Sequence, residues 1–377
     1  LENPVRPETL AIHAGYMIDP TSGSLTPPIH LSTTFERALD NTYPSGYVYN
    51  RDNNPNRAEL EARLTALEGG VTCATFASGS VAMMTLIQAL KSGDHVIAPF
   101  DMYYGIRVIL QEFFVDWGLS VSFVDMTDLQ AVADACRPTT RLIVIETPSN
   151  PQINLTDIAQ LAEIAHQHGA LLVCDNTIAS PIFQQPLALG ADIVVHATTK
   201  YLAGHSDVLG GALIARAQLP IFDKVRRLQK IGGAVPSPFD CWLTLRGMSS
   251  LPYRMGAHHA NGLAVATYLA SHPKIERVLH PFLPTHPQHD LALQQMRGYS
   301  GLFSVLVKGD AEDALGITRR VHLFKRATSF GGAHSLIEHR ASIEAPGSPT
   351  PKNLLRLSVG LEHPDDLLED LEQALAD

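Results

Sequence analysis

The sequence predicts an α/β fold, with a large domain built on a mostly parallel sheet and a smaller α+β domain after it. Three observations carry this expectation. From residue 53 to about 250, short apolar runs alternate with helical stretches. Those runs are apolar throughout, as in strands buried on both faces. After about 250 the pattern gives way to one long helical stretch, a Pro/His-rich loop and further short strands and helices. At 377 residues the chain is long for one domain and ordinary for two.

Residues 1–52 are rich in Pro, Thr, Ser and Tyr, as in LTPPIHLSTTFE and NTYPSGYVYNR, and hold no sustained period. They read as an irregular, extended arm whose aromatic and β-branched residues pack against something else, such as another subunit. A helix follows at NRAELEARLTALEGG, with Leu60, Leu64 and Leu67 on one stripe and Gly69 and Gly70 ending it. The runs CATFA, HVIAPF, VSFVD, RLIVIET, ALLVCDN, DIVVHAT and LGGALIAR are the candidate strands of residues 53–250. Between two of them, DIAQLAEIAHQHG reads as a crossover helix capped by Thr156, with Ile158, Leu161 and Ile164 facing inward and Gly169 at its end. Residues 251–377 hold the helical MGAHHANGLAVATYLASH, a strand at GLFSVLVKG, and an amphipathic closing helix, DDLLEDLEQALAD, whose acids read as a solvated face.

Composition narrows the function. With 45% hydrophobic and 18% charged residues, the chain suits a compact enzyme. A formal net charge of −10 argues against nucleic-acid or anionic-membrane partners, though not against a phosphorylated small molecule. The four cysteines, Cys73, Cys136, Cys174 and Cys241, form no CxxC pair and read as reduced residues. The opening LENPVRPETL has no apolar signal region, and no stretch approaches a membrane span, so a cytoplasmic location is expected. His258, His259, His286 and His289 lack recognised ligand spacing, and no metal is expected. Neither GxSxG nor GxGxxG occurs at Ser78, Ser206 or the Gly-Gly pairs.

The chemistry concentrates at strand ends. In ADIVVHATTKYLAGHSD a buried run delivers Lys200, and a lysine there is costly unless it snorkels out, is paired or is covalently used. ALLVCDNT ends a second run in Asp175, which on its own could equally be a structural cap. Ligands of α/β sheets bind at the carboxyl ends of strands, so the two can face one cleft. A lysine that forms a Schiff base and an acid that keeps a pyridine nitrogen protonated together suit pyridoxal phosphate (PLP). Ser78, Gly79 and Ser80 open a helix after a strand, a place where backbone N–H groups receive phosphate. Asn150, in ETPSNP, stands at another strand end.

Taken together, the ordered motifs IHAG, PPIHLSTTFE, YNR, ASGS, DMYYG, ETPSNP, CDNT, TTKYLAGHSD, SFGG and RLSVGLE resemble the Cys/Met-metabolism family of PLP enzymes over nearly the whole chain. That family includes cystathionine γ-synthase, the cystathionine γ- and β-lyases, methionine γ-lyase and the O-acylhomoserine sulfhydrylases. The resemblance implies PLP fold type I and elimination or replacement at the β or γ carbon of a sulfur amino acid or O-activated homoserine. It implies that Lys200 carries the cofactor and moves protons, that Asp175 holds the ring nitrogen with Thr177 in the same motif, and that Tyr103 stacks on the ring and assists proton transfer. Gly79, Ser80 and Thr199 would hold the phosphate, completed by Tyr49 and Arg51 from a neighbouring subunit, so a homo-oligomer, dimer or tetramer, is expected. Arg356 would clamp the substrate α-carboxylate, with Asn150, Ser329 and Thr328 beside it. The chain departs from the family's pattern at Ala197 (usually Ser), Tyr104 (often Gly), Thr328 and His334 (both usually Glu) and Arg340 (usually Pro), and the stretch from His339 to Arg356 is short. The competing readings are a PLP-dependent aminotransferase and a catalytically silent binding protein.

Overall fold

The computed structural model describes residues 5–344 and 350–376. Strands β1 (Thr72–Phe76), β2 (His95–Pro99), β3 (Ser120–Val124), β4 (Thr140–Glu146), β5 (Leu171–Asp175), β6 (Ile193–His196) and β7 (Gly211–Ala215) form a seven-stranded sheet. Their order is β1-β7-β6-β5-β4-β2-β3. β7 runs antiparallel to both neighbours, and every other pairing is parallel. The cause is connectivity. The turns after β6 contain no crossover helix, so the chain returns antiparallel, whereas parallel neighbours need a long crossover. β2 and β7 are buried at every position, as their unbroken apolar runs predict. β3 lies at the sheet edge and is half-buried throughout.

The second sheet contains β8 (Ile275–Leu279), β9 (Leu302–Val307), β10 (Lys325–Arg326), β11 (Leu336–His339) and β12 (Leu354–Ser358), ordered β10-β11-β12-β9-β8. All its pairings are antiparallel except β10 with β11. Register sets Arg356 on β12 opposite Glu338 on β11 and Ser304 on β9.

The helix Pro55–Glu68 starts where the Asn54 side chain accepts from the Asn56 and Arg57 amides, and stops at Gly69 with φ +69°. Leu60, Leu64 and Leu67 are all buried, as their spacing predicts. The crossover helix spans Ile158–Gln167, but its cap is Asp157 rather than Thr156. The Asp157 carboxylate accepts from the Gln160 amide, and the stronger acceptor one residue on takes the role. Ile158 and Leu161 are buried and Ile164 is half-buried, while Ala162 and Ala165 complete the buried face.

Two further expectations need correction. The arm is not irregular throughout: Pro7–His13 is a helix, begun by Pro7 at its first turn and anchored by buried Ala11. The closing helix, Pro364–Leu375, is not acidic only on a solvated face. Asp370 is buried, and its carboxylate accepts from the His322, Leu323 and Phe324 amides. All four cysteines are free; Cys73, Cys174 and Cys241 are buried and Cys136 is half-buried. Among the described residues no helix is long and apolar enough to cross a membrane.

Candidate active site

A cleft of about 170 Å³ opens at the carboxyl ends of β4, β5 and β6, where parallel strands release their loops on one side of the sheet. Ser78, Gly79, Ser80, Tyr103, Asn150, Asp175, Thr177, Thr199 and Lys200 all line it. Nine residues separated by over a hundred positions thus share one small volume. Two larger hollows, about 600 Å³ beside the helix Pro7–His13 and about 710 Å³ along the helix Pro55–Glu68, are lined by neither Lys200 nor Asp175.

At one end the helix Gly79–Gln88 points its amino terminus into the cleft. The Ser78 hydroxyl is committed to that helix, accepting from the Val81 amide at 3.2 Å. Gly79 is required sterically: a Cβ there would come within 2.8 Å of the Ala197 Cβ. Position 197 is therefore packed against the helix start, and its amide donates to Thr177 Oγ1 at 2.9 Å. Thr199 Oγ1 accepts from the Gly210 amide at 3.0 Å, which ties the lysine loop to the start of β7.

In the middle stand two carboxyl groups. β4–β5 register pairs Glu146 with Asp175 at the strand ends. Burial, then the charge of Asp175, pushes Glu146 well above the usual carboxyl range. Asp175 is also raised by burial, but its bonds from the Thr177 side chain and amide oppose this. Burial disfavours charge on both groups, and the bonds that Asp175 accepts favour its charged form over that of Glu146. Glu146 also accepts from the Tyr103 amide at 2.8 Å, fixing the loop that carries the Tyr103 ring. That ring lies over Gly105, where a Cβ would sit 2.7 Å from a ring carbon.

Lys200 faces both ends. Its Nζ donates to Ser329 Oγ at 2.8 Å and lies 4.8 Å from the centre of the Phe330 ring. Burial first, and the positive charge of Arg356 second, lower its amine to about 8. Ser329 holds a positive φ of 96°, an uncommon conformation for a non-glycine residue, and sites under chemical constraint collect such residues. Its carbonyl accepts from Arg356 Nη2 at 3.2 Å, while Arg356 Nη1 donates to Asn150 Oδ1 at 2.9 Å. Arg356 is buried yet remains a cation near neutrality: burial lowers it only to about 10.

Not every expected residue arrives. Thr328, next to Ser329, is exposed, as is His334. Tyr49 and Arg51, which the resemblance assigns to a neighbouring chain's site, lie outside this chain's own cleft. The Arg51 guanidinium donates to the Lys230 carbonyl at 2.6 Å and sits 5.5 Å from the Tyr49 ring centre. Sequence reasoning missed Glu146, Phe330 and Glu338. Glu146 had the same signal as Asp175, an acid ending a buried apolar run. Phe330 and Glu338 carried none, because their importance comes from the fold of the second sheet.

The set fits PLP. The tight Gly79–Ala197 contact leaves the helix start open to an anion, the half-buried acid Asp175 suits a ring nitrogen, and the lowered amine suits covalent attachment. The comparisons agree. Residues 8–376 match the family model described as Cys/Met metabolism PLP-dependent enzyme. A cystathionine γ-synthase of Mycobacterium tuberculosis is 44% identical, covering 98% of this chain and 96% of its own. A human cystathionine γ-lyase is 43% identical, with 97% and 93% covered. The crystal structure of metB from Corynebacterium glutamicum superposes with a TM-score of 0.97 at 40% identity over 99% of each chain. The chain belongs to the Cys/Met-metabolism family of PLP-dependent enzymes.

Proposed function

We propose that this enzyme catalyses γ-replacement or γ-elimination on an amino acid carrying a thioether or an activated oxygen at its γ carbon, as in cystathionine or an O-acylhomoserine. The observation that carries the reading is the chain Lys200 Nζ–Ser329–Arg356–Asn150, which sets a mobile amine beside a buried cation. The names of the relatives, γ-synthase and γ-lyase, support the γ carbon over the β carbon. An aminotransferase is not favoured by any of them.

When bound, PLP withdraws electrons from the substrate α-carbon and acidifies the neighbouring C–H bonds. Lys200 would hold it through its amine, Asp175 would hold its ring nitrogen, and Gly79, Ser80 and Thr199 its phosphate. Arg356 binds the substrate α-carboxylate bidentately, with Asn150 fixing the plane of the guanidinium. With its amine free, Lys200 Nζ would take up and return protons along the substrate chain. A group lowered to about 8 exchanges protons readily near neutral pH. Ser329 Oγ holds that amine on the substrate side. Tyr103 closes the opposite face and serves the leaving group.

The arm is read as a contribution to a neighbouring chain. Leu25, Leu31 and Leu39 are exposed there, as are Tyr49 and Arg51. An oligomer that places Tyr49 and Arg51 over its partner's phosphate site accounts for both facts. Residues 53–250 and 251–377 are read as the cofactor-binding and C-terminal domains, and the free cysteines support a reducing, cytoplasmic setting.

The test is direct. The PLP-loaded enzyme is given L-cystathionine alone, then O-succinyl- or O-acetylhomoserine with and without L-cysteine, and ammonia, keto acid and thioether are measured. Turnover of cystathionine to cysteine and a four-carbon keto acid, or of acylhomoserine plus thiol to thioether, supports the reading. Three-carbon keto acid from cystathionine, or amino-group transfer without loss of the γ substituent, sinks it.

A further inference from the structure

Arg340 departs from the family's pattern and takes part in a buried ion ladder that reaches the cleft. On the reading of Arg356 as the carboxylate clamp, we propose that Arg340 is a positioning residue for that clamp. By sharing Glu338, it keeps the Arg356 guanidinium electrostatically available to an incoming α-carboxylate.

The geometry is a chain of four charges. Glu338 Oε2 lies 2.6 Å from Arg356 Nη2 and 3.2 Å from Arg340 Nη1, so one oxygen serves two guanidinium groups. Arg340 is anchored on its far side: its Nη2 and Nε donate to Glu344 Oε1 at 2.7 and 3.1 Å. Glu344 Oε2 accepts in turn from Thr350 Oγ1. No side chain of Arg356, Glu338, Arg340 or Glu344 is more than 10% exposed. Arg340 itself stands in the short 3-10 turn Arg340–Ser342 directly after β11, so the strand that carries Glu338 also fixes its second partner.

Position in the ladder decides the effect. Among the described residues, the other acceptors of Arg356, Asn150 Oδ1 and the Ser329 carbonyl, are neutral, and Glu338 is the only anion among its hydrogen-bond partners. In a dry setting an undivided Glu338 would neutralise Arg356, and a substrate carboxylate would have to compete with a buried partner for it. Arg340 divides that charge. Because Glu344 sits beyond Arg340, it balances the ladder from the end away from Arg356.

The test uses the PLP-loaded enzyme and the double substitution Arg340→Met with Glu344→Gln, which removes one charge of each sign. Four quantities are read: the Kd of L-alanine, from the change in cofactor absorbance; KM and kcat for the reacting amino acid; and the melting temperature. The expected result is a rise in Kd and KM of about tenfold, with kcat held within about twofold, since the lost interaction concerns ground-state carboxylate binding. Adding Glu338→Gln should return Kd most of the way, because the competing anion is gone. Arg340→Lys keeps the charge and should hold Kd within about threefold; it remains informative if the double variant fails to fold. Kd unchanged in the double variant, no recovery with Glu338→Gln, or a tenfold loss in Arg340→Lys overturns the proposal. Arg356→Lys separates the two levels. If it raises Kd while the double variant does not, only the role of Arg340 falls; if it leaves Kd unchanged, the clamp reading falls with it.

Discussion

A lysine that must capture an aldehyde does so only as the free amine, and this fold prepares Lys200 for that step. Burial and the nearby Arg356 cation lower it from 10.5 to about 8. At pH 7.5 the gap makes the neutral amine of Lys200 about 200- to 300-fold more abundant than that of an ordinary lysine. The assay is the initial rate of covalent PLP capture by apoprotein, followed by absorbance from pH 6 to 10. Each rate is divided by that of a blocked lysine amide under the same conditions, so that ionisation of PLP cancels. The normalised advantage should be at its largest, a few hundredfold, below pH 8. It should then fall steadily as the reference amine catches up, because Lys200 is already neutral above its own midpoint. Arg356→Met removes the second cause and should move the midpoint up; Glu338→Gln, which withdraws a nearby negative charge, should move it down. A normalised rate flat across the whole pH range, or capture undiminished in Lys200→Met, would refute the reasoning.

Three further outcomes follow from the site and its surroundings. Asp175→Asn removes the anion that suits a protonated ring nitrogen, and kcat should fall by about a hundredfold or more while PLP stays bound, checked by steady-state kinetics on spectrally saturated enzyme. Glu68→Leu leaves His196 and Asn176 without the carboxylate they share in the interior, and should cost roughly 3–5 kcal/mol in urea unfolding; a loss below about 1 kcal/mol contradicts the pairing. Mixing two inactive chains, Lys200→Ala and Arg51→Met, should restore about a quarter of wild-type activity by random pairing if Arg51 serves the partner's cleft, and none if it serves its own.

The large sheet was legible because its strands announce themselves. Strands buried on both faces need unbroken apolar runs, and each of the seven runs in the sequence is a strand here. Lys200 and Asp175 were legible for the same reason, since a charged residue ending such a run must lie at the rim where ligands bind. Local competition was harder to read. Thr156 and Asp157 are both good caps, and only the loop geometry before the helix selects the aspartate. The helix Pro7–His13 has a short pattern that Pro and Thr conceal. Asp370 looked like one more acid on an acidic helix, because its three amide donors come from a loop nearly fifty residues away. Glu338 and Arg340 were illegible as a pair with Arg356, since that contact depends on antiparallel register in the second sheet.

The division between the two sheets also explains where this chain departs from its family's pattern. The seven-stranded sheet delivers Asp175 and Lys200 from neighbouring strands, and the departure nearest to them, Ala197, is absorbed by contact with Gly79. Thr328, His334 and Arg340 all lie on the segment that carries β10 and β11. There Thr328 and His334 are exposed, and only Arg340 reaches inward. Substitution at exposed positions costs a fold little, whereas burying a new cation costs several kcal/mol unless anions receive it. Arg340 is received by Glu338 on one side and Glu344 on the other. A buried charge matched at both ends, one residue pair away from Arg356, bears on how the carboxylate end of a substrate is held, while the cofactor end lies on the other sheet.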